Sequence, residues 1–134
     1  MISGVGVDRI AISRIERSLE RFGDRFIERI YTQHEIAQSR AKGNPARRFA
    51  MLFAAKEAVS KALGTGFRRG IAMHHIETIH QASGKPEITL HGVAREVAKE
   101  QGIIRVHISL TDDEGVALAF AVAEASASLG SNTL

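Results

Sequence analysis

Hydrophobic and polar positions change period along the chain, and the changes mark out its elements. Residues 2–8 (ISGVGVD) alternate with the strand period of two, Val5 and Val7 on one face and Gly4, Gly6 and Asp8 on the other. Two glycines on the face that ends in Asp8 let another backbone or a ligand come close. The period then becomes helical. Ile15, Leu19 and Phe22 recur at i, i+4 and i+7 as a buried stripe, Ser13 and Glu16 have capping-box spacing that starts the helix near Arg14, and Gly23 stops it. A short helix over 24–30 buries Phe26, Ile27 and Ile30, and Thr32 with Glu35 repeats the capping-box spacing to open a third helix running to about Arg40.

After a polar break over 41–44, Asn44 as N-cap and Pro45 at the first helical position open a long helix whose apolar side is Phe49, Leu52, Phe53, Val59 and Leu63. From Ile71 strands dominate. Residues 71–80 and 87–91 read as strands joined through Ser83-Gly84-Lys85-Pro86, with His74 and His75 on opposite faces of the first. A helix over 92–101 buries Val93, Val97 and Ala98 and stops at Gly102. Residues 103–111 alternate Ile104, Val106, Ile108 and Leu110 against Arg105, His107, Ser109 and Thr111. The turn Asp112-Asp113-Glu114-Gly115 leads to 116–123, where Leu118, Phe120 and Val122 alternate with alanines; a strand apolar on both sides belongs in the middle of a sheet.

The pattern predicts a single-domain α+β fold, an N-terminal strand and helices packed on a mainly antiparallel sheet, over residues 1–125 with a flexible tail at 126–134. Composition adds exclusions. With no cysteine among 134 residues, disulfides and thiolate-bound zinc are ruled out, and the histidines form no zinc pattern. No apolar run approaches the ~20 residues of a membrane helix, and the N-terminus lacks the basic start and long apolar run of a signal peptide; a cytoplasmic protein is expected. The net charge of +3 suits an anionic partner, while one Tyr and no Trp supply little for base stacking.

The chemistry concentrates in residues 53–66, FAAKEAVSKALGTG. Glu57 and Lys61 lie four apart on the long helix, a spacing that serves equally a surface ion pair or a reactive pair. The turn Gly64-Thr65-Gly66 follows, with Arg68 and Arg69 beyond it, and such turns bind phosphates through backbone N–H groups and charge. The P-loop pattern is absent. Asp8 and Glu57 are the hard oxygen ligands next to glycine-rich stretches, and Mg²⁺ takes one or two protein carboxylates and completes its shell with water and substrate phosphate. Arg14, Arg17 and Arg21 share one helix side, either a solvated face or a dock for an acidic helix. Read from the residues, the chain performs Mg²⁺-assisted chemistry on a phosphate-bearing cofactor. A basic module binding nucleic acid and a nucleotide-binding regulator without catalysis are the alternatives.

Taken together, Gly6-Val7-Asp8 with Arg14, the block FAAKEAVSKALGTG, the Ser-Gly-Lys-Pro turn and His107-Ile108-Ser109-Leu110-Thr111 resemble the holo-acyl-carrier-protein synthases, small trimeric members of the 4′-phosphopantetheinyl transferases, in collinear order over residues 2–123. The resemblance implies transfer of phosphopantetheine from coenzyme A to a serine of an apo-acyl carrier protein in fatty-acid biosynthesis, leaving adenosine 3′,5′-bisphosphate. It implies that Asp8 and Glu57 bind Mg²⁺, that Asp8, Glu57 and Lys61 are the catalytic set, and that Lys61, Gly64, Thr65, Gly66, Pro86, His107, Ser109 and Thr111 hold coenzyme A. Arg14, Arg17 and Arg21 would dock the carrier protein, with no nucleic acid or membrane as partner, and the active sites would lie between the subunits of a homotrimer. Two positions depart from the family's usual text: His75 stands where an acid is common, and Asp112 where a histidine is common.

Overall fold

The computed structural model describes residues 1–41 and 43–127; the predicted tail therefore falls largely outside them. Strand β1 (Ile2–Ala11) runs directly into helix α1 (Ile12–Phe22), followed by α2 (Asp24–Ile30), α3 (Gln33–Ala41) and the long α4 (Pro45–Ala62). A single 3₁₀ turn, Met73–His75, precedes the hairpin β2 (Ile76–His80) and β3 (Pro86–Leu90), then α5 (Gly92–Glu100), β4 (Ile103–Asp113) and β5 (Val116–Ala125). The strands form a three-stranded antiparallel sheet of order β1-β5-β4 and a two-stranded sheet β2-β3. This is the predicted α+β class, with β5 central as its two apolar faces required. Among the described residues no helix is long and apolar enough to cross a membrane.

Helix α4 lies across the inner face of β1 and β5. The approach is close because both surfaces are small. Ala117, Ala119, Ala121 and Ala123 of β5 and Ala54, Ala55, Ala58 and Ala62 of α4 are buried. At Gly4 a Cβ would sit 2.1 Å from the Ala62 carbonyl oxygen, and at Gly6 one would sit 2.0 Å from that of Ala58. The glycines thus admit a backbone, that of α4. The large apolar residues of the same strands turn the other way: Val5 is 57% exposed, Val7 51% and Phe120 45%.

A buried ion pair ties α4 to the rest. Lys56 and Glu35 are fully buried, their Nζ–Oε1 distance is 2.7 Å, and Lys56 also donates to the carbonyls of Met73 and Ile76. Burial lowers the Lys56 pKa, and the Glu35 carboxylate pulls it back up. Glu35 completes its own shell with the backbone N–H groups of Thr32 and Thr78. The Thr32–Glu35 capping box is therefore real, closed by Glu35 N–H donating to Thr32 Oγ1, and the Asn44 cap is real too, its Oδ1 accepting from Arg47 N–H.

Four expectations are corrected. Helix α1 begins at Ile12 with Ala11 as N-cap and no side-chain cap, because Ile12 N–H donates to the Gly115 carbonyl across the β4–β5 turn and Ser13 has no role to fill. Phe22 is 50% exposed, since α1 ends there before its stripe reaches the core. Ile104 is 64% exposed because a register irregularity between Ile103 and Arg105 turns Ile103 inward instead. Met73–His75 is a 3₁₀ turn, so His74 and His75 stack edge to face at 4.9 Å rather than point apart.

Removing one partner of a buried pair leaves the other uncompensated, at a cost of about 3–5 kcal/mol. Lys56→Met is expected to lose that much in urea unfolding, and Lys56→Met with Glu35→Gln to recover most of it. A single variant as stable as the parent would show that the pair is not buried as described.

Candidate active site

The glycine face of β1 ends in Asp8, so the same close approach that seats α4 carries Asp8 to its flank. There Lys61 Nζ lies 3.0 Å from Asp8 Oδ1 and 3.1 Å from the Val7 carbonyl oxygen. The i, i+4 surface pair between Glu57 and Lys61 is not what forms; Lys61 reaches across to the strand. Glu57 is half-buried on the same flank. Burial raises its pKa first and the Asp8 carboxylate raises it further, while the charges of Lys61 and Arg14 pull it back. Two carboxylates and a lysine thus crowd one edge of α4, negative charge in excess of what the lysine balances. Oxygen donors of this kind fit a hard divalent cation. Among the described residues no group of three or more His, Cys, Asp or Glu gathers as a metal cage, so any such ion would draw its remaining ligands from substrate or water.

The Gly64-Thr65-Gly66 turn closes α4. Gly64 and Gly66 both have positive φ, 80° and 57°, and a Cβ on either would meet nothing within 4 Å. Its backbone N–H groups are engaged: Gly64 donates to Lys61, and Thr65 and Gly66 both donate to the Ser60 carbonyl. In this geometry the turn is a helix terminator, and what it offers a phosphate is open space beside exposed Arg68 and Lys61 rather than a cradle of free amides.

The remaining predicted residues lie elsewhere. In the β4–β5–β1 register, His107 pairs with Val122, Ser109 with Phe120 and Thr111 with Leu118, and these continue to Val5, Val7 and Arg9. Directly paired residues share a face. His107, Ser109 and Thr111 are therefore on the outer face with the exposed apolar residues, whereas Asp8, paired with Ala119, is on the inner face with α4. One chain does not bring the two halves together. His107 Nε2 lies 2.9 Å from Glu124 Oε1. Pro86 opens β3 and shares with His107 a cleft of about 540 Å³ between β3 and β4. Arg14, Arg17 and Arg21 are all exposed on α1, and none is in an ion pair among the described residues.

A cavity of about 430 Å³ between α3, α4 and the β2–β3 turn was not foreseen. Three buried polar atoms of its lining residues, Gln38 Oε1, Ser39 Oγ and Arg48 Nε, have no hydrogen-bond partner among the described residues, and Arg47 also lines it. No spacing rule points to this group, which draws on three separate elements. The two departures from the family text have local explanations. His75 Nδ1 accepts from Ala72 N–H at 3.0 Å as a neutral imidazole; burial, then His74 and His91, lower its pKa and favour that neutral form. Asp112 receives Arg47 at 2.7 Å, and that hydrogen bond holds its carboxyl below the usual range.

Comparison with known proteins decides the family. Residues 4–121 match the model of the 4′-phosphopantetheinyl transferase superfamily. The chain belongs to that superfamily. Within it the chain is 44% identical to a holo-[acyl-carrier-protein] synthase of Solibacter usitatus over 124 residues, 92% of this chain and 99% of that protein. A crystal structure of the Neisseria meningitidis holo-[acyl-carrier-protein] synthase superposes with a TM-score of 0.86 at 42% identity, covering 92% of this chain and 99% of that one. The Helicobacter pylori synthase, solved in complex with coenzyme A, superposes at 0.79 with 32% identity, covering 90% and 99%. The chain is thus an enzyme of phosphopantetheinyl transfer, of the holo-acyl-carrier-protein synthase kind.

A transferase whose Glu57 carboxyl is held above its usual 4.5 binds a proton over a pH range where the unfolded chain has released it. Stability from this group is full below the unfolded value and is lost as pH rises through the folded one. Glu57→Gln should therefore raise the Tm of the metal-free protein at pH 7, with the gain shrinking toward pH ~4.5. Thermal scans in chelator across that range would show it, and a gain that grows on acidification would contradict the assignment.

Proposed function

We propose that the chain transfers 4′-phosphopantetheine from coenzyme A to a serine of an apo-acyl carrier protein, with Mg²⁺, releasing adenosine 3′,5′-bisphosphate. The observation that carries the reading is the gathering of Asp8, Glu57 and Lys61 on one flank of α4. Asp8 and Glu57 would hold the ion, which when bound stabilises charge on the pyrophosphate. Lys61 would neutralise pyrophosphate oxygens and could protonate the departing phosphate. The carrier serine gives its hydroxyl proton to water or a nearby carboxylate, its oxygen forms a new bond to the β-phosphorus, next to the pantetheine, and the bond from that phosphorus to the bridging oxygen breaks, the bridging oxygen leaving with adenosine 3′,5′-bisphosphate. Arg14, Arg17 and Arg21, exposed and free of ion pairs among the described residues, meet an acidic helix of the carrier. A role in fatty-acid biosynthesis and a cytoplasmic setting belong to the same proposal.

Coenzyme A binding by Pro86, His107, Ser109 and Thr111 together with Lys61 and the 64–66 turn requires more than one copy, because these groups lie on opposite faces of the sheet. The apolar outer face, with Val5, Val7, Leu118 and Phe120 exposed, is the surface on which copies would meet. A homotrimer with the site between neighbours fits both facts. Arg48 precedes Glu57 by nine residues, half a revolution apart on the helix at ~100° per residue. The cavity beside Arg48 thus faces away from its own metal flank.

Incubated with coenzyme A, Mg²⁺ and an apo carrier protein, the enzyme should add one phosphopantetheine, read by intact mass, and Glu57→Gln should lose at least a hundredfold in rate, about the 3 kcal/mol that a positioned metal ligand supplies. Absence of the mass gain with every carrier tried, the host's own included, would sink the proposal. Phe120→Glu should yield monomers on analytical ultracentrifugation and lose transfer activity while keeping its circular dichroism; an active monomer would show that the site is complete in one chain.

A further inference from the structure

Lys56 and Lys61 lie five residues apart on one helix and are held in opposite ways. Lys56 is fully buried with three oxygen acceptors around its ammonium. Lys61 is 49% exposed and has two, Asp8 Oδ1 and the Val7 carbonyl, both on β1. The Asp8 carboxylate beneath it is only 18% exposed. Lys61 is the cation that pairs with this covered carboxylate beside Glu57, and a half-exposed lysine on a long stem can leave it when another cation arrives. The ammonium therefore sits where a divalent ion would take its share of Asp8.

We propose that Lys61 is the resident counter-cation of Asp8, competing with the divalent metal for that carboxylate and yielding it when a pyrophosphate draws the lysine away. The inference rests on the reading of Asp8 and Glu57 as metal ligands and assigns Lys61 a second task in the same site. Its consequence is an order of events. Metal alone binds weakly, because it must displace Lys61. A pyrophosphate-bearing substrate that takes the lysine for itself also strengthens the metal's hold, so the two bind with positive coupling, and by linkage each strengthens the other equally. The enzyme is thereby kept from holding its metal firmly when no substrate is present.

The test is calorimetric titration of the full chain with Mg²⁺ alone, at fixed ionic strength, for the parent, Lys61→Met and Arg14→Met. Arg14 is the control for simple charge removal, since its charge also reaches Glu57 but it makes no ion pair with either carboxylate among the described residues. Lys61→Met is expected to bind Mg²⁺ about two- to fivefold more tightly than the parent, the range a partly exposed ion pair supports, and Arg14→Met to gain clearly less. Equal gains in the two variants, or no gain in Lys61→Met, would overturn the competition while leaving the metal site standing. If none of the three proteins takes up Mg²⁺ at millimolar concentration, the metal ligands themselves are misassigned, and the competition falls with them. Circular dichroism of each variant confirms that the comparison is between folded proteins.

Discussion

Everything in this fold depends on how closely α4 approaches the sheet. Gly4 and Gly6 are there because any side chain would collide with the carbonyls of Ala62 and Ala58, and the alanine row of β5 continues the same flat surface. Backbone packed on backbone leaves little room for rotation or slip. That is what makes Asp8, two residues beyond Gly6 on the same face, a reliable neighbour for side chains of α4. A site made by two elements so far apart in sequence gains its precision from the least chemical residues in the chain.

The opposite side of α4 is fixed by polar means. Lys56 links the helix to Glu35 of α3 and to the backbone around Met73 and Ile76, and Glu35 in turn holds Thr32 and Thr78. A fully hydrogen-bonded buried pair contributes more to uniqueness of arrangement than to net stability. Neighbouring residues Lys56 and Glu57 therefore have divided surroundings, one turned into the core and the other toward the flank shared with Asp8 and Lys61. Their adjacency follows from the helix geometry, which sends successive side chains ~100° apart.

Much of this was legible in the chain itself. The Thr32–Glu35 and Asn44-Pro45 caps, helix 24–30 and the central position of β5 follow from local rules, and each was realised. The motifs that resemble the transferases lie within residues 4–121, which match that superfamily. What escaped were features decided by distant contacts. Ser13 and Glu16 have the spacing of a cap, but Gly115 supplies the acceptor that α1's first N–H needs. Lys61 has Glu57 one turn away and prefers Asp8, more than fifty residues earlier. Lys56 finds no partner in its own stretch of sequence; Glu35, 21 residues earlier, supplies it. The cavity around Ser39 and Arg48 draws on α3, α4 and a hairpin turn, and no single stretch of sequence contains it.

The alternation along β5 has one more implication. Its alanines face α4 and its Leu118, Phe120 and Val122 face outward, so the strand is a wall with two incompatible sides. A slip of one residue in its pairing would exchange them all at once. Phe120 would be driven into a space shaped for a methyl group, and the outer surface would become a row of alanines too small to bind anything. Folding of the chain and the character of its outer surface are in this sense encoded in one parity, and an insertion or deletion of a single residue in β5 would damage both together.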